Sequence, residues 1–345
     1  RGAVKYLSNS ETGGVLLPDD LDDKGRSVRS ILMEKHPLPR IPLEDHFPVY
    51  QEMPEFVDLD ITEDTVIEVA KNLSGSGGAG GTDSYTAQSW LLRFGEASCR
   101  LRVALANFTC WLANDFPPWA SYRGLAVGRL LALDKCPGVR PIGIGETWRR
   151  VMAKCVLRVA GKEAKEACAI NQLCAGLERG IEGAIHANTL LWEQHKQEEE
   201  WGFLLIDARN AFNELNRSVM LWNIRHEWPS GARFTFNFYK HWSTLVLRNP
   251  FGEAMFLNSM EGVTQGDPLA MVAYGIALLP LIRELQSSFP MVRQSWYADD
   301  AGAGGKFAEL KKLINELQIL GPRFGSYPEP SKSIIIVKEA DVSLA

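Results

Sequence analysis

The chain has 345 residues, enough to bury one large core or two moderate ones, and its 46% hydrophobic and 23% charged content is ordinary for a globular protein. A net charge of −5 argues against a broadly basic surface, so any polyanion site has to be a local basic groove. The six cysteines (99, 110, 136, 155, 168, 174) form neither a CxxC pair nor a zinc-spaced Cys/His set, which points to reduced thiols and an intracellular setting, cytoplasmic or nuclear. The longest apolar stretch, 270–282, is too short to span a bilayer and contains a proline, no signal peptide is visible, and the chain opens on Arg1, as an excerpt from something longer would.

In chain order, residues 1–60 carry Pro37, Pro39, Pro42, Pro48 and Pro54 and read as an extended arm without chemistry. Thr62 caps a short helix, with Ile61 and Val66 as its hydrophobic staple. The glycine-rich run 74–81 lacks the Gly-Lys-Ser/Thr ending of a phosphate loop and reads as a flexible connector. A helix over 84–114 is expected to turn Trp90, Leu91, Phe94, Leu101, Leu105, Phe108 and Leu112 to the core. Residues 128–145 read as two strands about a turn at Pro137-Gly138. A helix over 146–167 follows, with Arg149, Arg150, Lys154 and Arg158 on what is expected to be a solvated basic face. Another helix spans 180–197, and the histidines at 186, 195, 226 and 241 read as surface or packing residues.

Residues 201–207, WGFLLID, form a nearly continuous apolar run ending in an acid. Such a run suits a buried central strand delivering the Asp207 carboxylate to a sheet edge; an Asp capping the next turn is equally compatible. Helices over 216–228 and 232–242 and a strand near 254–257 come next. The polar loop 261–268 then opens onto the most apolar helix, 269–285. Tyr297-Ala298-Asp299-Asp300 lies between an alternating stretch and a small-residue run, as the tip of a hairpin would; because strand neighbours face opposite ways, only one of its acids can look straight into a cleft. In isolation it could be a plain surface turn. A helix over 307–320, a loop, Ser331-Lys332-Ser333 and a last apolar strand over 334–337 complete the chain.

Acids on neighbouring strand ends are what a pair of divalent cations needs for in-line phosphoryl transfer, and cations across the cleft would neutralise a triphosphate. This order resembles the reverse transcriptases over roughly residues 74–338. The stretch around Asp207 matches their first palm motif, 261–268 the second, 297–300 the aromatic-X-Asp-Asp third and 331–333 the fourth. Arg140-Pro141-Ile142 looks like the fingers signature of retroelement and group II intron-type enzymes. The version here looks like a eukaryotic retroelement domain, nearer to non-LTR-type than to retroviral sequences.

The resemblance implies an α+β right-hand polymerase, with an antiparallel palm sheet backed by helices. An arm and short helix would occupy 1–73, fingers 74–200 and palm 201–345; part of 215–250 would return to the fingers, and the thumb would be absent. It further implies RNA-directed DNA polymerase activity with two Mg²⁺ (Mn²⁺ substituting), deoxynucleoside triphosphates and a primed RNA or DNA template, without a membrane. Asp207 and Asp299 would hold the metals, with Asp300 a less direct ligand. Lys135 and Arg140 would reach the triphosphate, helped by amides near Asn210 and Ala211; Gln265 and Gly266 would line the nascent base pair. Phe212 would be the steric gate against ribonucleotides and Lys332 the proton donor to pyrophosphate. The glycine-rich run departs from the family, and the Cys136-Pro137-Gly138 turn blurs the Lys135-to-Arg140 spacing. An RNA-dependent RNA polymerase would share the acids but carry a smaller or polar residue at position 212, and a domesticated, inactive nucleic-acid-binding domain is a further class. Phe212 could also be a plain core residue.

Overall fold

A computed structural model describes residues 14–135, 138–175, 179–249 and 251–344 in full, and the backbone of 176. Residues 1–13 of the arm and Cys136-Pro137 of the expected turn lie outside the described residues. The fold is α+β. In chain order its elements are β1 (Val15–Leu16), α1 (Val28–Glu34), α2 (Glu63–Lys71), α3 (Ser84–Leu92), α4 (Glu96–Asn114), β2 (Gly128–Asp134), β3 (Val139–Gly145), α5 (Thr147–Cys168), α6 (Leu173–Gly176) and α7 (Gly180–His195). They continue with β4 (Trp201–Ile206), α8 (Ala211–Glu214), α9 (Arg217–Glu227), α10 (Pro229–Tyr239), β5 (Ser243–Arg248), β6 (Ala254–Ser259), α11 (Ala270–Ser288), β7 (Arg293–Tyr297), β8 (Asp300–Lys306), α12 (Phe307–Phe324) and β9 (Ile334–Ile336).

Two sheets organise these elements. In the first, β7-β8-β4-β9 run antiparallel throughout, so β4 is an interior strand, as its apolar sequence demands. Its helical backing is α11 and α12; Leu278, Ile282, Leu310, Leu313 and Leu317 belong to one buried cluster that continues from Leu59 to Phe324. In the second sheet β2 pairs with β1 and β3 antiparallel and with β5 parallel, and β5 continues to β6. One face of this sheet receives α1, whose Val28, Ile31 and Leu32 are buried with Leu130, Val139, Leu245 and Leu257. Thr62 does cap α2, accepting from the Thr65 amide at 3.3 Å, and its staple residues Ile61 and Val66 are buried.

Several expectations are corrected. The helix expected over 84–114 breaks at Gly95, whose φ of +117° only glycine adopts cheaply. Trp90, in α3, is 47% exposed and Phe94, at the break, is fully exposed, rather than core-facing. Strand β5 did not register in the sequence pattern. The glycine-rich run is docked rather than a free connector. Gly80 N–H donates to Glu146 Oε1 at 2.6 Å, Arg150 donates to the Ser76 carbonyl at 2.6 Å, and a Cβ on Gly78 would sit 2.8 Å from the Glu146 Cα. Its glycines serve close approach to the start of α5. The arm is partly ordered into α1 and is strapped along α9: Trp222 Nε1 donates to the Pro48 carbonyl at 2.9 Å, and the Tyr50 ring stacks on His226 at 4.0 Å.

Candidate active site

The acids are placed by the ladder of the first sheet. Ile206 pairs with Ala301 and Tyr297 with Asp300, so the residue after β4, Asp207, comes level with the tip of the β7–β8 hairpin. That tip is a two-residue turn in which Ala298 has φ +53°, a left-handed conformation that a residue with a Cβ resists. Gln172, fully buried ahead of α6, holds it there. Its Oε1 accepts from the Ala298 amide at 2.7 Å and its Nε2 donates to the Ala298 carbonyl at 3.2 Å. A buried backbone step that no strand neighbour can satisfy is thus satisfied by one side chain.

Two cavities meet at these acids. The first, about 470 Å³, is lined by Asp207 and Asp299, by Lys35, Lys135, Arg140 and Lys332, and by Asn210, Ala211, Phe212, Gln265 and Gly266. The second, about 310 Å³, has Asp207, Asp300 and Lys332 in its wall beside Leu173, Ile185 and Tyr297. Asp299, in the turn, and Asp300, the first residue of β8, therefore open onto different cavities, while Asp207 borders both. Burial raises the pKa of Asp299, and repulsion from Asp300 and Asp207 adds to it; Asp300 is raised by burial and then by Asp207. Opposite stands an ion pair, Lys332 Nζ to Asp207 Oδ2 at 3.3 Å.

All eleven residues singled out in the sequence come to this place. The Asn210 side chain donates to the Lys35 carbonyl at 2.9 Å, and its φ of +47° is one that Asn tolerates. Phe212 is half-buried, stacked on the Tyr274 ring at 4.8 Å, so it is both a cavity wall and a packing residue. Beneath it the Tyr274 hydroxyl is buried without a hydrogen-bond partner among the described residues, and burial together with the nearby acids raises its pKa far above the usual phenol range.

The Gln265-Gly266 loop is bound to the strand that carries Arg140. Gly143 N–H donates to the Gln265 carbonyl at 2.8 Å, and a Cβ on Gly143 would meet the Thr264 methyl at 2.2 Å. Gly266 has φ +107° and approaches the Gly143 carbonyl. Behind the loop, Asp267 is a buried acceptor for Arg149, for the Tyr239 hydroxyl at 2.9 Å and for the Leu269 amide at 2.9 Å, while the Arg149 guanidinium lies 4.6 Å from the Phe238 ring centre. Arg149 was expected on a solvated face; it is buried, because α5 runs beneath the loop and Asp267 needs a cation there. Sequence reasoning also missed Lys35, which the arm was not expected to supply. A lysine in a proline-rich arm carries no local signal.

The donors offered by Asp207, Asp299 and Asp300 are all oxygen, the chemistry that Mg²⁺ prefers. Among the described residues no three acidic, His or Cys side chains form a closed metal group. No helix among the described residues is long and apolar enough to cross a membrane.

No protein-family model matches the chain. Over 278 residues it is 25% identical to the retrotransposable element SLACS 132 kDa protein of Trypanosoma brucei gambiense, a match covering 76% of this chain and 22% of that protein. The chain thus spans about a fifth of the length of that curated relative. Among solved structures it is similar to apo telomerase from Candida tropicalis, at 12% identity and TM-score 0.49, covering 66% of this chain and 46% of that one. It is also similar to telomerase from Candida albicans in complex with a fragment of telomeric RNA, at 9% identity and TM-score 0.47, covering 62% and 43%. By sequence, then, the chain is related to a retrotransposon protein, as its motif order suggested.

Proposed function

We propose that the chain is the polymerase core of a retrotransposon RNA-directed DNA polymerase, joining deoxynucleotides to a primer by two-metal, in-line nucleotidyl transfer. The observation that carries this reading is the meeting of Asp207 from β4 with Asp299 and Asp300 from the hairpin, at the mouth of a cavity whose other wall carries Lys135 and Arg140. The relation to a retrotransposon protein supports it.

In this reading residues 74–200 act as fingers and 201–345 as palm. Asp207 and Asp299 hold two Mg²⁺ ions, for which Mn²⁺ can substitute, and Asp300 assists. When bound, such ions polarise the α-phosphate and stabilise the attacking and leaving oxygens. Lys135 and Arg140 neutralise the triphosphate, and the Gln265-Gly266 loop supports the nascent base pair. Its rigidity comes from the bond to Gly143 and the anchor at Asp267. Lys332 lies on Asp207 and can hand a proton to departing pyrophosphate. A primed template and deoxynucleoside triphosphates inside the cell, in cytoplasm or nucleus, are the partners this chemistry requires.

The alternative of an RNA polymerase is disfavoured by Phe212, whose ring, braced on Tyr274, offers a ribose hydroxyl no hydrogen-bond partner. Primer extension on RNA and DNA templates with Mg²⁺ tests the proposal. Extension by deoxynucleotides on RNA is the expected result, and nucleic-acid binding with no extension on either template would leave only an inactive binding domain.

A further inference from the structure

The first cavity holds more positive charge than the motifs account for. Of its four cations only Lys332 has an ion-pair partner; the side chains of Lys35, Lys135 and Arg140 make neither a hydrogen bond nor an ion pair among the described residues. Three such cations, one from the arm and two from the β2–β3 hairpin, converging on one cavity, call for a multiply charged anion.

Lys35 is not there by accident of a loose arm. It caps the C-terminal end of α1, whose apolar face is seated on the second sheet beside β2 and β3. Pro37 and Pro39 stop the helix there. Its carbonyl is held by Asn210, next to the nucleotide wall. Just beyond, Arg40 N–H donates to Glu261 Oε1 at 2.8 Å, and its guanidinium reaches Glu214 at 2.9 Å and the Tyr327 hydroxyl at 2.7 Å. Glu261 in turn accepts from the Arg217 amide at 2.8 Å. The backbone of Lys35 is thus tied on both sides to segments that line or support the cavity. Lys35 lines the same cavity as Lys332, Lys135 and Arg140, and burial, with the positive charge of those neighbours, lowers its pKa.

We infer that Lys35 is a polyphosphate-binding residue of the nucleotide site, so that the segment ahead of the fingers completes the grip on the incoming triphosphate and the departing pyrophosphate. This rests on the nucleotidyl-transfer reading above and adds to it a residue outside every motif that suggested it.

The test uses the whole chain and two probes, inorganic tripolyphosphate binding by calorimetry and steady-state extension. Lys35→Ala is expected to weaken tripolyphosphate binding and raise KM for deoxynucleotide by about tenfold each, the scale of one charge-assisted contact, with kcat within about twofold. Affinity for primer–template is expected to stay unchanged, and Lys35→Arg to retain most of the binding. Should Lys35→Ala bind tripolyphosphate like wild type while Arg140→Ala does not, Lys35 is no ligand, yet the nucleotide site stands. If neither substitution matters, both this inference and the placement of the triphosphate in the cavity fall. A lowered melting temperature in Lys35→Ala, with binding not rescued by Lys35→Arg, would make the residue merely structural and overturn the inference.

Discussion

The two walls of the cleft are built by opposite means. Asp207, Asp299 and Asp300 all belong to one sheet, and their relative positions follow from two backbone pairings, Ile206 with Ala301 and Tyr297 with Asp300. Lys35, Lys135, Arg140 and Lys332 come from the arm, the β2–β3 hairpin and the loop before β9, and only tertiary docking brings them together. The acidic wall can keep like charges close because the ladder enforces it. The basic wall is held by packing and side-chain anchors behind it: α1 on the second sheet, Asn210 on Lys35, Arg149 on Asp267. Breaking the first wall should therefore destroy chemistry and spare the fold. Breaking the supports of the second should cost the fold or the affinity.

The largest effect is expected on the acidic side. Asp207→Asn or Asp299→Asn should lower kcat by about 10²–10³-fold or more, the scale of losing a charge-stabilising group at a reacting centre. Asp300→Asn should cost less. Asp299→Asn and Asp300→Asn should not unfold more easily at neutral pH, since burial and repulsion already disfavour their ionised forms. Denaturant melts beside single-turnover rates would check this, and an active Asp299→Asn enzyme would remove the acids from the mechanism.

On the other side, Arg149→Met leaves Asp267 buried opposite no cation. Unfolding free energy should fall by about 3–5 kcal/mol, the usual result of removing one member of a buried pair. A well-folded variant with full activity would show that the Tyr239 hydroxyl and the Leu269 amide satisfy Asp267 unaided.

Between the walls, Phe212→Val separates gate from core. As a gate, the variant keeps its deoxynucleotide rate and gains ribonucleotide incorporation by about tenfold. As a core residue, it loses about 1–2 kcal/mol through the gap against Tyr274 with preference unchanged. The ratio of kcat/KM for matched deoxy- and ribonucleotides decides between them.

The smallest effect concerns pH. His36, next to Lys35, donates from Nδ1 to the Leu32 carbonyl at 2.7 Å, and burial lowers its pKa below the usual 6.5. A base with a depressed folded pKa takes up its proton first in the unfolded chain. Its contribution is therefore complete above about pH 6.5 and is lost progressively as pH falls towards the folded pKa. Exchange protection of the α1 amides should drop over that range in wild type and less steeply in His36→Gln.

Much of this protein was legible before folding. The hairpin around residues 297–300, the apolar run of β4 and the long apolar helix α11 are local patterns, and the motif order they belong to implied, through its resemblance to the reverse transcriptases, the α+β class and the antiparallel sheet that the fold has. The cavity residues along 207–212 and 265–266 fall together because each motif is a short stretch whose residues share one strand end or loop. What stayed hidden was everything set by contact at a distance. No local pattern marks Gln172 as the clamp of Ala298, Arg149 as the partner of an acid 118 positions away, or the glycines at 78 and 80 as a landing for Glu146. In each case the decisive quantity is the loss of water around a polar group, which depends on what packs over it. Sequence alone set the periodicities, the caps and the order of the acids, because those are properties of neighbouring residues. Which charges are buried, which are paired and which are left free to meet a substrate was decided only when distant segments excluded solvent from the same space.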